Sequence, residues 1–459
     1  MKASGRLKNC FKTSLGFYSI IWYNNIRGKY YCRGSVRSRR QAGRNRVMVR
    51  MDTMDKFAAK GAAGIKTLIN AFLQRGLEQK LIIICVASIF LTAYAAGVVC
   101  GVTALIFLLR KRTRDAFIHS PGFLYACIFC GVGVIGSLLT QNWLGLLGTV
   151  FVMFPMLVVY ITAASFMDKS LIQICFRILC ILSIAVVFIG IIQLLIKGTN
   201  YRPEATFHNP NLLANALSLV LITAVAAFVA VYDKKYSVLY AAAVTFCVAG
   251  VLFTQCRTAI PSIAAAGLIV LLVMKKYKLA VIYSGGCAAV LLVALFNIEH
   301  IPRLLNVEEN WHERMDIITV ALEGFLERPI FGGGPFYFRI YGEGLMSRNY
   351  LHAHNLFVNF LLDFGVAGTG SMLIMFGEQL KDVFVSFKKR KRACVEISAV
   401  AGCLIYTIAH GMLDVTAFNV QTGQLLLFII AAGIAAVHFE SPSRNNKKSE
   451  RVYLTEKEK

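Results

Sequence analysis

Acid is what this chain has least of. It holds 24 Asp and Glu against 49 Lys and Arg over 459 residues, a formal net charge of +25. Residues 1–50 carry thirteen Lys and Arg and no acid at all. Such an excess can mark a nucleic-acid partner, but its placement argues otherwise. Beyond residue 50 most of it lies in short connectors between apolar runs, as the positive-inside rule expects. A disulfide framework is also missing. Most of the thirteen Cys lie inside apolar runs, and the polar stretches around Arg202 and Arg314 have none. Cys127 and Cys130, spaced as CxxC, therefore read as helix packing. No Lys-Ser/Thr follows Gly332, Gly333 and Gly334, so that run reads as a flexible turn rather than a nucleotide loop. The short apolar patch at 17–23 lacks a small-residue cleavage site, which argues against a signal peptide.

What the chain has is apolar length. Hydrophobic residues make up 57% of it and the mean hydropathy is +0.62, values of a polytopic membrane protein. Apolar runs predict spans at 117–139, 143–163, 171–196, 211–232, 237–254, 259–274, 279–297, 355–377, 394–412 and 416–438. Residues 81–109 are apolar with basic residues at both ends, which predicts a hairpin of two helices turning near Gly97 and Gly101. The expected fold is an all-α bundle of about 12 transmembrane helices with both termini in the cytoplasm. Residues 1–80 form a basic extension with an interfacial amphipathic helix at 55–75, and residues 1–50 are expected to be disordered or an upstream extension of a gene starting at Met48, Met51 or Met54. Residues 81–440 form the membrane domain and 441–459 a polar cytoplasmic tail.

The bundle interrupts itself once at length. The outer loop 298–353 is too polar for hydrocarbon, with Arg303, Arg314, Arg328, Arg339 and Arg348. Within it, 311–327 has helical spacing and an apolar stripe of Met315, Ile318, Leu322 and Phe325, stopped by Pro329. On the expected topology three polar sites meet at the outer face. One is 202–211, with Arg202 and Asn211; one is Thr254-Gln255-Cys256-Arg257; the third is the long loop, with Arg314 early and His354 and Asn355 at its end. Arginine suits phosphate because its planar fork stays charged and bonds bidentately, and histidine suits proton removal near neutral pH. Guanidinium groups and an imidazole at a lipid–water boundary are what transfer from a lipid diphosphate needs. Each also has a plainer reading: Arg257 as a headgroup contact, Arg314 as a solvated helix residue, His354 as a loop-bonding residue. His352 and His354 lack a third ligand at a familiar spacing, so no metal is expected. His410 and Asp414, spaced i, i+4 at a helix end, read by default as a structural pair and otherwise as support for the site.

Taken in order, these motifs resemble the O-antigen ligase and Wzy-type polysaccharide polymerase superfamily, the membrane C-type glycosyltransferases. The likeness runs from about residue 81 to 438. It rests on 202–211, on Thr254 to Arg257, on Glu313-Arg314-Met315-Asp316 through Ala321 with 327–334, and on His354-Asn355-Leu356 with 363–368. The resemblance implies a metal- and cofactor-free, inverting transfer of a glycan from undecaprenyl diphosphate to an acceptor hydroxyl. The acceptor would be a glycan, lipid, protein or cell wall. The enzyme would sit in a bacterial cytoplasmic membrane, with its site on the outer face. It further implies that Arg257 and Arg314 bind the diphosphate, that Arg202, Asn211 and Asn355 line the substrate site, and that His354 is the base or orients the acceptor. Cys256, Thr319 and Asp363 stand where the family often has Ser, Trp and Glu. The rival class is a transporter or flippase of lipid-linked glycans, which predicts an internal repeat and broken helices; the sequence has no convincing repeat.

Overall fold

The computed structural model describes residues 70, 72–198, 200–296, 307–346, 348–389, 394–416 and 419–439. The expectations for 1–50, for most of 55–75, for the start of the long loop and for 441–459 fall outside them. The chain divides into two compact units, 1–72 and 73–459, and everything below belongs to the second.

All regular structure among the described residues is helical: α1 Leu77–Ser88, α2 Ala93–Leu109, α3 Lys111–Ile118, α4 Phe123–Leu139, α5 Trp143–Phe166, α6 Lys169–Lys197, α7 Pro210–Val229, α8 Ser237–Thr254, α9 Ala259–Val273, α10 Tyr277–Phe296, α11 Val307–Glu327, α12 Phe338–Tyr341, α13 Leu356–Lys389, α14 Val395–Gly411 and α15 Val420–Phe439. A single 3-10 turn, Lys234–Tyr236, precedes α8. Among the described residues six helices are long and apolar enough to cross a membrane: α5, α6, α7, α8 with its 3-10 turn, α13 and α15. The pair α2–α3, bent by 95°, makes a seventh if it is one broken span. Helices α4, α9, α10 and α14 are apolar but shorter. The core sits on α7 and α15, which are buried on nearly every side, as helices apolar all round must be. Helix α7 packs against α8, α9 and α14, and α13 against α4.

Three details depart from the sequence reading. The hairpin turns at 89–92, not at Gly97 or Gly101, which lie inside α2. Thr92 caps α2 by accepting from the Ala95 N–H, and the carbonyls freed at Ile89 and Phe90 accept from Gln421 Nε2 and Thr206 Oγ1. Side chains that replace missing backbone partners make such a break tolerable in an apolar bundle. With twelve residues, α1 is about 18 Å long, well short of the roughly 30 Å hydrocarbon layer.

The second concerns Gly332, Gly333 and Gly334, read as a flexible turn, with the residues on either side of them. It is pinned instead. Gly333 N donates to Leu362 O at 3.0 Å and Gly334 N to Asp363 O at 2.7 Å. Val366 N donates to Pro329 O at 2.8 Å and Ala367 N to Ile330 O at 3.1 Å. These four bonds fill a break in α13, where Gly365 leaves helical geometry at φ +59°. A side chain at Gly365 would collide with Ile330 O, so only glycine fits. Asn142 Nδ2 donates to Gly333 O at 3.2 Å and Pro335 O at 2.8 Å, fastening the same strip to α5.

The third concerns α11. The sequence names no cover for its stripe of Met315, Ile318, Leu322 and Phe325, and the face most buried on the protein is a different one. Ile317 and Ala321 are fully buried with Tyr337, Phe338, Ala353 and Leu362, while Met315 and Leu322 are 41% and 39% exposed. The small side chains of Ala321 and Gly324 allow close approach; Leu362 and Tyr341 lie directly over Gly324.

Candidate functional site

The loop between α14 and α15 collects the polar motifs. Leu413 O accepts from Arg314 Nη1 at 3.0 Å and Met412 O from Asn355 Nδ2 at 3.0 Å. Asp414 Oδ2 accepts from Asn211 Nδ2 at 2.9 Å, and its Oδ1 accepts from Val415 N at 2.8 Å and lies 3.7 Å from His354 Nδ1. Thr416 Oγ1 accepts from Asn215 Nδ2 and is 3.2 Å from His410 Nδ1. Asn211 Oδ1 in turn accepts from Arg202 Nη2 at 2.6 Å, and Arg202 Nε donates to Thr254 O at 2.8 Å. His410 Nε2 lies 3.1 Å from Thr258 Oγ1, beside Cys256 Sγ at 3.8 Å. Four segments distant in sequence thus meet at 412–416: the start of α7, the 255–258 connection, α11 and the start of α13.

Local sequence explains each placement. Asn209 caps α7 by accepting from Asn211 N, which sets Asn211 and Asn215 on successive turns facing the loop. Asn355 Oδ1 accepts from Phe357 N and Val358 N and caps α13, so the residue before it is held at the helix entrance. That residue is His354, at φ +49°, a conformation unusual for a side-chain-bearing residue. Ala205, His208, Gln255 and Phe336 share positive φ, and all lie in the connections that bound the site. Such backbone persists where the surroundings over-determine it, most often at functional sites.

His354 Nδ1 is buried, and 3.7 Å to Asp414 is ion-pair range, longer than a hydrogen bond. Burial alone would raise the Asp414 carboxyl. The reach of His354 and the fields of His352 and His410 outweigh it and hold Asp414 well below the usual carboxylate range. His352, 4.6 Å from His354 between ring centres, is pushed down to about 4 by burial and by His354, against the pull of Asp414. His410 and Asp414 are joined by the backbone bond Asp414 N to His410 O and by their fields, while each side chain bonds to other partners.

A cavity of about 230 Å³ opens beside this hub. Asn211, His352, Asn359, Asp363 and Asp414 line it, with an apolar wall that includes Val152, Met153 and Phe336. Asp363 accepts from Tyr337 N at 3.1 Å and Asn359 Nδ2 at 2.7 Å, and Asn359 Oδ1 accepts from Ala353 N at 3.0 Å. The strip that fills the α13 break therefore also sets the loop that carries His352 and His354. The π turn Thr149–Met153 in α5 presents Val152 and Met153 to the same space.

Residues 241–373 match the family model Wzy_C, O-Antigen ligase. This segment is an O-antigen ligase family domain. It contains Arg257, Arg314, His354 and Asn355, while Arg202, Asn211, His410 and Asp414 come from outside it. No curated protein matches the chain. The apolar helices and this match indicate a multi-pass membrane protein, and the match supports a glycan ligase or polymerase function of glycosyltransferase type.

The structure gathers Arg202, Asn211, Arg314, His354, Asn355, His410 and Asp414 through direct bonds or contacts. Arg257 is exposed on the 255–258 connection, whose Cys256 and Thr258 touch His410. Sequence reading undervalued Asp414 and passed over Thr258, Asn359 and Thr416. It also failed to find a third partner for His352 and His354. The fold supplies Asp414: one ligand atom from each of the three lies within 4.8 Å of the others.

Proposed function

We propose that the chain is an inverting glycosyltransferase that moves a glycan from undecaprenyl diphosphate to an acceptor hydroxyl. It works at the outer face of a bacterial cytoplasmic membrane that it crosses about twelve times. The observation that carries this reading is the convergence on 412–416: Arg314 is bonded to Leu413 O one residue from the Asp414 that faces His354. Asp414 orients His354 through Nδ1, leaving Nε2 as the base. Nε2 takes the acceptor proton as the acceptor oxygen bonds to the anomeric carbon. The bond from that carbon to the diphosphate oxygen breaks, and the leaving oxygen keeps the electron pair. Arg314 and Arg257 stabilise the diphosphate; fixed donors aimed at developing charge are commonly the largest catalytic contribution. Arg202, Asn211 and Asn355 hold the loops in place around the substrate. The acceptor enters through the cavity beside Asp414. Among the described residues its lining carries the Asp414 carboxylate and no Lys or Arg, which suits sugar hydroxyls better than a diphosphate.

The trio His352, His354 and Asp414 favours a second reading, a divalent-cation site. The proton-transfer reading is preferred because both Asp414 oxygens already accept hydrogen bonds and the Arg314 cation is bonded one residue away. Purified protein in nanodiscs with a lipid-linked glycan and an acceptor should release free undecaprenyl diphosphate, before and after chelation. Loss of release on chelation, restored by a divalent cation, selects the metal reading. Transport into vesicles without release selects a flippase, whose broken helices this bundle does contain. A cysteine placed at Glu343 should react with an impermeant reagent from outside; labelling only after permeabilisation reverses the proposed orientation.

A further inference from the structure

Helix α11 has two apolar faces, and only one is used by the protein. Ile317, Val320, Ala321 and Gly324 pack on the cluster around Leu362 and Phe338. Trp311, Met315, Leu322 and Leu326 form a second stripe at helical spacing, exposed by 50%, 41%, 39% and 70%. Asp316, Glu323 and Glu327 occupy the remaining side and are exposed. Four large apolar side chains in one row, on an otherwise acidic helix outside the bundle, call for a cover.

The surface next to the stripe identifies that cover. Beyond Leu326 the chain continues through Ile330 and Phe331, which are exposed, and is bonded edge-on to α13 by Val366 N to Pro329 O and Ala367 N to Ile330 O. Val366 and Leu373 on α13 are exposed apolar residues of a membrane-crossing helix. The stripe is therefore continuous with a surface that faces lipid. We infer that α11 lies in the plane of the membrane, with Trp311, Met315, Leu322 and Leu326 seated in the acyl–headgroup boundary of one leaflet. Tryptophan is well suited to that depth, its ring apolar and its N–H polar. A helix of 21 residues, about 31 Å long, anchored this way has a fixed height. Arg314 lies on the border between the packed face and the lipid face, so the guanidinium is set at headgroup level. On the proposed reaction, which this placement rests on only for its consequence, that is the depth at which the diphosphate of a lipid carrier arrives.

The test reads depth and not turnover. Trp22 and Trp143, the other two tryptophans, are replaced by Phe, leaving Trp311 as the probe. In vesicles of phosphatidylcholine brominated near the top of its acyl chains, Trp311 emission should be blue-shifted and quenched. Two further single-tryptophan proteins, made on a Trp311→Phe background, give the facing: Leu326→Trp should be quenched like Trp311, and Glu323→Trp at least roughly twofold less, since it points to water. Emission at the water wavelength with no bromine quenching at either Trp311 or Leu326→Trp overturns the inference and leaves the stripe to a protein partner or a second copy. Equal quenching at all three positions overturns it too, because no one face is then buried in lipid. Failure here leaves diphosphate release in the assay above untouched, and failure of that assay leaves the depth of α11 untouched.

Discussion

The two ends of α14 handle charge in different ways. At its first turn Glu396 accepts from Tyr232 OH, and beside Tyr232 the part-buried pair Arg177–Asp233 closes, with the guanidinium 3.9 Å over the Tyr236 ring. Arg75–Asp168 and Arg110–Glu78 are further carboxylate-matched arginines among the helix starts. At the last turn of α14, about 20 Å away, Arg314 and Arg202 bond to carbonyl and amide oxygens. Arg314 is held by the Leu413 carbonyl, and the bonds of Arg202 quoted above go to the Thr254 carbonyl and the Asn211 amide. A carboxylate partner cancels a guanidinium; a carbonyl orients it and leaves its charge. Arg314, held by a carbonyl, keeps its charge at the end where the proposed reaction brings an anion. A partner 56 residues away, as Asp233 is for Arg177, has no local signature in the sequence.

That contrast is sharpest at His354. Its loss should lower turnover by roughly a hundredfold or more, the usual scale for a general base, with expression and melting temperature kept. His352→Ala should cost far less turnover, since the proposed base is His354 and its orienting carboxylate is Asp414. Asp414→Asn should fall between them and shift the pH profile of turnover, because it removes the charge that supports the imidazolium and keeps the shape. Equal losses for His354→Ala and His352→Ala, tracking equal losses of stability, make the pair architecture and end the catalytic assignment.

The arginines separate the two ends next. Arg314→Lys keeps charge and loses the fork, so turnover should drop close to the alanine level, about a hundredfold for one lost donor to developing charge. The melting temperature should hardly move, since one exposed-edge bond to a carbonyl is lost. Arg177→Ala should do the reverse. It leaves the part-buried Asp233 without its cation, which costs roughly 1–3 kcal/mol, and leaves the turnover of the folded fraction alone. Near-normal turnover for Arg314→Lys, or a turnover defect from Arg177→Ala, removes the distinction between the ends.

Much of this was legible beforehand. Most span positions followed from apolar length, and α8 was placed to the residue because Asp233 to Lys235 and the 254–257 break bound it. Arg202, Asn211, Arg314 and His354 were found because polar groups at the mouths of apolar runs are costly to keep without a use. What escaped was pairing. Asp414 followed His410 at i+4, and the local rule joined them; the fold turned each to a distant loop. The α11 stripe was legible as one apolar face, but period alone cannot tell protein from lipid as its cover. The Gly332–Gly334 run looked flexible because nothing local shows that it fills a break thirty residues on.

The smallest effect concerns stability in acid, and it again divides the ends. His352 is pushed in the folded protein from 6.5 to about 4, first by burial, then by His354, with Asp414 opposing. The imidazole is neutral in the fold, whereas the unfolded chain takes up its proton near 6.5. Below that pH the unfolded state binds more protons, so stability falls as pH drops from 6.5 toward 4 and levels off beneath it. From pH 6.5 to 5 the loss is about 2 kcal/mol. Asp414 acts in the same direction but later: its depressed carboxyl contributes stability above the ordinary carboxylate value, lost as pH falls through the range below about 4. Melting temperature should therefore be lower at about pH 5 than at about pH 7.5, and His352→Gln, neutral at both, should flatten that slope. Arg177→Ala should lower both temperatures and keep the slope, because the pair it breaks does not involve His352. An unchanged slope in His352→Gln would show that this imidazole takes its proton in the folded protein as freely as in the unfolded chain, and that the hub at 412–416 is wetter than its contacts imply.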